Sequence, residues 1–202
     1  MIETVQVGEH LVTFDSETHT YEVDGKTVIS VTQLIKDVLP QTYRNVDPDI
    51  LRRAALRGTE LHDAIEQFEV AGEMSDLLEF KYYRKLKRQH QFEVKKSEQI
   101  VVVKHHGIIL CAGRFDMIVE SPFIQGKGIV DVKRTAHLFH DHLKLQLNLY
   151  KLGYEQTFKE PIHYLKCIHL RFHHHEYVDV SVDSKFVKHY LDLYMDKYHL
   201  YE

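Results

Sequence analysis

The spacing of apolar and polar residues changes along the chain and marks out its elements. Apolar and polar residues alternate through residues 18–30, on either side of Asp24-Gly25, a dipeptide that suits the type I′ turn of a β-hairpin. The stretch from Ser30 to Gln33 then has the spacing of a capping box before an apolar run, which Pro40 follows. The pattern therefore predicts an N-terminal hairpin and a helix that stops at Pro40.

Further helices are predicted in the next fifty residues. Asp47-Pro48 is typical of a helix start, and we expect this short helix to end at Gly58. Apolar residues at helical spacing predict a second helix over residues 59–72 and a third over residues 75–92, which is basic in its second half. This part of the chain is therefore expected to be largely helical.

The second half of the chain is dominated by the patterns of strands. The predicted elements are three consecutive strands over 97–104, 107–120 and 128–134, a helix over 139–153 closed by Gly153, two strands over 162–172 and 176–182, and a helix over 184–202. No repeat, low-complexity segment or linker divides the sequence. We therefore expect a single α/β domain over residues 1–202.

Length and composition narrow the class of protein. A chain of 202 residues suits one well-buried domain. The net charge of −4 excludes a globally basic nucleic-acid-binding protein, although it allows local basic patches. The first residues lack the features of a signal peptide, and no apolar run approaches the roughly 20 residues of a membrane helix. We expect a cytoplasmic protein with no membrane partner.

The cysteines and histidines are a further set of candidate metal ligands. Cys111 and Cys167 have no metal-binding spacing, and an iron–sulfur cluster usually takes four thiolates, so we expect no iron–sulfur cluster and two reduced core thiols. The run His173-His174-His175 is expected in a hairpin whose side chains alternate, so it is not predicted to be a metal site. No GxxxxGK[ST] motif occurs, which excludes an ATP-driven helicase.

The predicted strand over 128–134 carries charged residues where a buried strand would be apolar. Successive side chains point to opposite faces, so Asp131 and Lys133 share one face and Val132 belongs to the other. Asp116 lies on the preceding strand, and if the two strands are neighbours both carboxylates meet at one edge of the sheet. Mg²⁺ prefers such oxygen ligands. The charged pair is either a structural ion pair or part of a metal site, and the second carboxylate favours the site.

Four motifs follow one another along the chain. They are RGTELHDAIE at residues 57–66, G-x-x-D at Gly113 and Asp116, D-x-K at Asp131 and Lys133, and Q-x-x-x-Y at Gln146 and Tyr150. In this order they resemble the PD-(D/E)XK nuclease superfamily and, more narrowly, its RecB-type exonuclease branch, which includes phage-encoded exonucleases. The resemblance covers about residues 15–155. Asp131 stands where many members have glutamate, and the cluster-binding cysteines of several relatives are absent.

The resemblance implies a restriction-endonuclease-like core, with helices flanking a central mixed sheet that contains a meander. It implies metal-assisted hydrolysis of DNA phosphodiester bonds with Mg²⁺ or Mn²⁺, most simply by an exonuclease acting on single- or double-stranded ends. The implied catalytic residues are Asp116, Asp131 and Lys133, and Lys133 orients or activates water. The implied metal ligands are His62, Asp116, Asp131 and the Val132 carbonyl.

Other residues are implied in supporting roles around the metal. Glu66 lies one turn beyond His62 and is expected to orient it. Gln146 and Tyr150 share a helix face, from which they contact substrate phosphate or hold the catalytic lysine. Glu98, at the start of a predicted strand, is a weaker candidate for the same site.

A basic surface is also expected, because phosphate contacts supply most non-specific affinity for DNA. The candidate DNA-binding residues are Arg52, Arg53, Arg57, Lys81, Arg84, Lys85 and Arg88. The alternative is that these residues form ordinary solvated helix faces.

Two other functions are compatible with the same sequence. One is a non-catalytic protein of this fold that binds DNA or a protein partner and acts as an inhibitor or a recombination accessory. Its protein partners would be recombination or replication proteins. The retention of His62, Asp116, Asp131 and Lys133 argues against it. The other is a structure-specific endonuclease, whose catalytic core would be the same. Strand polarity, the number of metal ions and the oligomeric state do not follow from these motifs.

Overall fold

The computed structural model describes residues 2–40, 42–43 and 45–201, which form a mixed α/β structure. Its strands are β1 (Ile2–Val7), β2 (His10–Asp15), β3 (Thr20–Val23), β4 (Lys26–Ser30), β5 (Glu93–His105), β6 (Ile108–Ser121), β7 (Ile124–Lys133), β8 (Tyr164–Arg171) and β9 (His174–Val180). They form one sheet in the order β1-β2-β3-β4-β6-β7-β8-β9, with β5 paired to β6. The predicted α/β fold class is confirmed.

Helices cover both faces of this sheet. They are α1 (Val31–Val38), α2 (Pro48–Ala71), α3 (Leu78–His90), α4 (His140–Phe158) and α5 (Ser184–Tyr198). The neighbours Ile129 and Val130 of β7 belong to opposite apolar clusters, as strand alternation requires: Ile129 packs with α1, α4 and α5, and Val130 with α2 and α3. Within the described residues, none of the helices has the length and apolar character needed to span a membrane.

Four short strands precede α1. The predicted hairpin is confirmed as β3 and β4, with φ of 52° at Asp24 and 77° at Gly25, the positive values that a type I′ turn requires. The predicted capping box is confirmed between Ser30 and Gln33. Strands β1 and β2 lie outside the predicted elements. Because β1 is an edge strand with most of its residues exposed, it carries little apolar signal.

Two predicted helix ends are wrong, and both were placed at glycine. The helix α2 runs through Gly58 to Ala71, so two predicted helices are one. The helix α4 runs through Gly153 and ends at Phe158. A Cβ at Gly153 would lie 3.0 Å from Val101 Cβ, so this glycine lets the helix approach the sheet closely. It serves packing rather than termination.

Strand β6 pairs with two different strands along one of its edges, and the candidate site lies between these two pairings. One edge of β6 pairs with β5. Its other edge pairs in parallel with β4 at Cys111 and Ala112, and antiparallel with β7 from Met117 onward. On this second edge, residues 113–116 lie between the pairing with β4 and the pairing with β7. Their side chains and backbone groups on that edge can therefore make other contacts.

The two cysteines are buried, free core residues, as expected from the sequence. Burial raises the pKa of both thiols, to about 12 for Cys111. Since the thiolate is the form that binds metals and attacks electrophiles, neither residue is poised for such chemistry.

Candidate functional site

Asp116 lies on β6 between the pairings with β4 and β7. Its Oδ2 accepts a hydrogen bond from the Val132 N–H at 2.6 Å, so the carboxylate connects β6 to β7 beyond the last backbone pair. This contact brings Asp116 next to the D-x-K segment at the end of β7. The sequence-based expectation that the two carboxylate-bearing strands are neighbours is therefore met.

His62 approaches the same carboxylate from α2. Its Nδ1 lies 3.3 Å from Asp116 Oδ1, and its side chain is about one-third exposed. Leu61 and Ile65 bury the inner side of α2 against the sheet, which leaves His62 on the flank of the helix. The Asp116 carboxylate raises the pKa of His62 to about 9, against the opposing effect of burial. At neutral pH the His62 imidazolium and the Asp116 carboxylate therefore form a charged pair.

Glu98 completes a group of three potential ligands. One ligand atom from each of His62, Glu98 and Asp116 lies within 4.8 Å of the others. Glu98 has φ of 51°, a left-handed conformation that costs energy for a non-glycine residue and is enriched at functional sites. Arg114 Nε lies 2.7 Å from Glu98 Oε2. Burial, with the nearby Asp116 charge, raises the pKa of Glu98 to about 7.

Asp131 and Lys133 add a second carboxylate and a cation. Asp131 is only 2% exposed, and Lys133 Nζ lies 2.6 Å from its Oδ2. The buried Oδ2 is therefore held by a cation. A carboxylate oxygen has two lone pairs, so the contact with Lys133 leaves one that a metal ion could use.

Charge and burial together set the protonation of these groups. Burial raises the pKa of Asp131 to about 6, against the attraction of Lys133. Burial acts in the same direction on Asp116, but His62 and Lys133 outweigh it and hold the pKa of that carboxyl below its usual value. Burial disfavours the Lys133 ammonium, yet the two carboxylates outweigh it and raise its pKa. Lys133 is therefore a stable cation at neutral pH.

Gln146 and Tyr150 lie on α4, and Gln146 Nε2 donates a hydrogen bond to the Tyr150 hydroxyl at 3.1 Å. Tyr150 lines the same cleft as His62 and Asp116. It can approach because Gly113 has no side chain: a Cβ there would lie 2.9 Å from Tyr150 Cε1. The G-x-x-D and Q-x-x-x-Y motifs therefore meet in space, which gives Gly113 a packing role.

An open cleft of about 1560 Å³ covers the candidate site. Its walls include α2 from Ile50 to Glu66 and the segment after β7, residues 134–137. Glu66 faces this cleft, but the carboxylate paired with His62 is Asp116. The cleft exceeds the roughly 300–1,000 Å³ of a typical small-molecule pocket.

Comparison with known proteins finds distant structural likeness only, and one of the similar structures is described here. No protein-family model matches the chain, and no curated protein matches it. Among solved structures, "Crystal structure of SSO0001" is 17% identical, covers 87% of this chain and 77% of its own, and has a TM-score of 0.44. At this level of similarity no function is transferred from that protein to this chain.

The basic residues expected to bind DNA do not line the cleft. On α2 they are Arg52, Arg53 and Arg57, and on α3 they are Lys81, Arg84, Lys85 and Arg88. Leu51, Ala55, Gly58 and His62 present a different side of α2 to the cleft. Among the residues that the structure describes, the lysines and arginines that line it are Lys36, Arg114, Lys133, Arg134 and Arg171. The structure thus brings together the motif residues and a different set of cations.

Arg114 and Arg134 are site residues that the motifs did not single out. Arg114 holds Glu98, and Arg134 Nε donates a hydrogen bond to the buried Glu79 carboxylate at 2.8 Å. Each arginine directly follows a motif residue, Gly113 or Lys133. The sequence therefore shows each arginine beside a motif, but it does not show which acidic residue the arginine contacts.

Proposed function

We propose that this protein is a metal-dependent deoxyribonuclease of the PD-(D/E)XK type, and specifically an exonuclease that acts on DNA ends. The observation that carries the proposal is the convergence of His62, Glu98 and Asp116 beside the Asp131–Lys133 pair. Four separate elements, α2, β5, β6 and β7, contribute to this convergence, and it faces an open cleft. A surface ion pair alone would need none of this arrangement.

The topology supports the finer fold assignment to a restriction-endonuclease-like core. The strands β5, β6 and β7 form an antiparallel meander, α4 follows, and β8 then pairs in parallel with β7. The resemblance noted in the sequence implies a core of this kind. The acidic motif residues lie at the end of the meander where β6 and β7 separate.

The donor set fits a divalent cation such as Mg²⁺ or Mn²⁺. Asp116 and Asp131 supply carboxylate oxygens, and Asp131 Oδ2 keeps a lone pair beside its contact with Lys133. His62 adds a nitrogen, and Val132, whose carbonyl is the implied fourth ligand, lines the cleft. A bound divalent cation supplies Lewis-acid stabilisation for the charge that develops on a phosphate.

The remaining residues position substrate and water. Lys133 holds its proton at neutral pH, since Asp131 and Asp116 raise its pKa. It therefore acts as a hydrogen-bond donor that orients water or a phosphate oxygen, rather than as a base. Tyr150, held by Gln146, offers a hydroxyl on the same side. Burial raises the pKa of Tyr150, so this hydroxyl also remains protonated.

The choice of an exonuclease over an endonuclease rests on the RecB-type resemblance of the motifs. The helix α2 forms one wall of the cleft: its first half is largely exposed, and its inner side lines the cleft from Ile50 to His62. Lys36, Arg134 and Arg171 supply cations along the same cleft.

Cleavage of end-labelled linear DNA and closed circular DNA tests the proposal. Both forms are offered single- and double-stranded, with Mg²⁺, Mn²⁺ or a chelator. We expect cleavage of linear DNA only, lost with chelator and in Asp116→Asn and Lys133→Ala. Lys127→Ala is the matched control, because Lys127 lies on the same strand but pairs with Glu160 far from the motif.

Each result separates the candidate functions. Cleavage of circles as well as linear DNA would replace the exonuclease with an endonuclease that uses the same residues. DNA binding by folded wild-type protein without any cleavage would favour the non-catalytic alternative. Equal cleavage by wild type and Asp116→Asn would overturn the assigned site.

A further inference from the structure

A second group of potential ligands lies at the β8–β9 hairpin. His169 Nδ1 and His174 Nε2 each lie 3.0 Å from the same atom, Glu176 Oε1. His169 and Glu176 are directly paired across the two strands, and His174 begins β9. Three ligand-type atoms thus converge on one point, and none belongs to the candidate nuclease site.

The buried His169 faces an acceptor at both of its ring nitrogens. Its Nε2 donates to the Thr135 carbonyl at 2.7 Å, and its Nδ1 faces the Glu176 carboxylate. Because Nε2 carries the hydrogen that the Thr135 carbonyl accepts, Nδ1 is the ring nitrogen available to a cation shared with the Glu176 carboxylate. Histidines that bind metals commonly donate their other N–H to a backbone carbonyl in this way.

His174 gives an independent indication. Its Nε2 is buried and, among the described residues, has no hydrogen-bond partner, because its contact with Glu176 lacks hydrogen-bond geometry. A ring nitrogen that lies beside a carboxylate oxygen without a hydrogen bond to it leaves its lone pair for an ion that both groups bind. Zn²⁺ bonds of about 2.0–2.2 Å in a tetrahedron place ligand atoms roughly 3.3–3.5 Å apart. The observed separations of 3.0 Å need only a small expansion.

We propose that His169, His174 and Glu176 bind Zn²⁺ or a similar first-row transition-metal ion, with a fourth position left for water. Two imidazoles and one carboxylate form a donor set that zinc uses in proteins. The run of three histidines therefore contributes one ligand. The ring of His175 instead stacks on Tyr82 at 4.4 Å, and His173 lies in the turn with φ of 60°.

The bound ion would stabilise one wall of the cleft. His169 holds Thr135 through its Nε2, and Arg171 Nη1 donates a hydrogen bond to the Ala136 carbonyl at 2.7 Å. Both carbonyls belong to the segment after β7, residues 134–137, which lines the cleft. An ion that fixes the His169 ring therefore fixes the path of the chain immediately after Lys133.

Zinc stoichiometry tests this site without reference to nuclease activity. Untagged full-length protein carrying Asp116→Asn, which disables the candidate nuclease site, is stripped with a chelator and titrated with Zn²⁺ by calorimetry. Adding His174→Ala or Glu176→Gln should remove one equivalent of bound zinc. Adding His175→Ala should not, since that ring packs on Tyr82. The cluster of His105, His106 and Asp192 is unchanged in all variants, so any zinc it binds cancels in the comparison.

Cobalt gives the geometry of the same site. Co²⁺ in the Asp116→Asn protein should show the visible absorption of a four- or five-coordinate ion, and His174→Ala should lose this absorption. An identical zinc count in the His174→Ala and His175→Ala proteins would overturn the proposal, as would the absence of zinc binding in the Asp116→Asn protein. The side chains of His174 and Glu176 are 38% and 44% exposed and neither residue belongs to the hydrophobic core, so their substitution leaves the core intact.

Discussion

Replacement of Gly113 by alanine tests whether close packing on β6 assembles the candidate site. A Cβ at this position would lie 2.9 Å from Tyr150 Cε1 and 2.9 Å from Val31 Cγ2. The φ of Gly113 lies outside the left-handed region, so alanine meets no backbone strain there. Any effect of the substitution therefore comes from crowding between β6, α1 and α4.

The size of the effect follows from these separations. Non-bonded carbon atoms prefer about 3.5–4.0 Å, so the new methyl group is too close to each neighbour by roughly 0.6–1.1 Å. Val31 is 0% exposed and Tyr150 is 3% exposed, so neither side chain can move away without disturbing the packing around it. Overpacking of a core costs about 1–3 kcal/mol. We expect Gly113→Ala to lower the free energy of unfolding by about 2 kcal/mol.

Gly58→Ala is the matched control, because it makes the same chemical change in open space. Gly58 sits inside α2, and apart from its chain neighbours and the nearby backbone of that helix no atom of the described structure lies within 4 Å of a Cβ placed there. Alanine in a helix interior is favoured over glycine by about 0.5–1 kcal/mol, so Gly58→Ala should stabilise the protein. Urea unfolding followed by circular dichroism measures both changes, with midpoints compared at equal slope.

The two variants should move the unfolding midpoint in opposite directions. A Gly113→Ala protein as stable as wild type, or more stable, would refute the packing argument. Such a result would mean that Tyr150 and α4 adjust without cost, and that Gly113 has no structural role in bringing the G-x-x-D and Q-x-x-x-Y motifs together.

Three further predictions concern ligands, pH and local structure. Glu98→Gln should weaken Mn²⁺ binding roughly tenfold or more in calorimetry, because an uncharged amide replaces a carboxylate ligand; unchanged affinity would remove Glu98 from the site. Mn²⁺ affinity should rise as pH increases from about 6 to about 9, because protons on Asp131, Glu98 and His62, with pKa values of about 6, 7 and 9, compete with the metal. A flat pH profile would contradict this competition. Ser30→Ala should lower the free energy of unfolding by about 1 kcal/mol in urea titration through loss of the α1 cap, and an unchanged midpoint would show that the cap is dispensable.

Local chemistry in the sequence was enough to predict several elements. The turn at Asp24-Gly25 and the capping box at Ser30 depend on residues within four positions, so their signals are complete in the sequence. Gly58 and Gly153 show the limit of prediction from local sequence. Glycine at a helix end and glycine at a close helix–sheet contact look the same until the partner is known, and Val101 is distant in sequence from Gly153.

The residues of the candidate site were also only partly predictable from the sequence. Adjacent antiparallel strands are sufficient to bring Asp116 near Asp131 and Lys133, and the sequence predicts those strands. The position of Glu98 depends on a left-handed residue within β5, for which no local pattern exists. The sequence does not show which side of α2 faces the cleft, so it could not show that the arginines of this helix lie on a different side. That orientation is set by Leu61 and Ile65, which pack on strands formed later in the chain.

The most direct test of the metal centre is the position of bound Mn²⁺ in crystals of the protein, located by anomalous diffraction. We predict a peak within coordination distance of Asp116, Asp131 and the Val132 carbonyl, with His62 or Glu98 as a further ligand, and its loss in Asp116→Asn. A well-ordered site without any Mn²⁺ peak at these residues would contradict the proposed metal centre and, with it, the proposed hydrolysis of DNA.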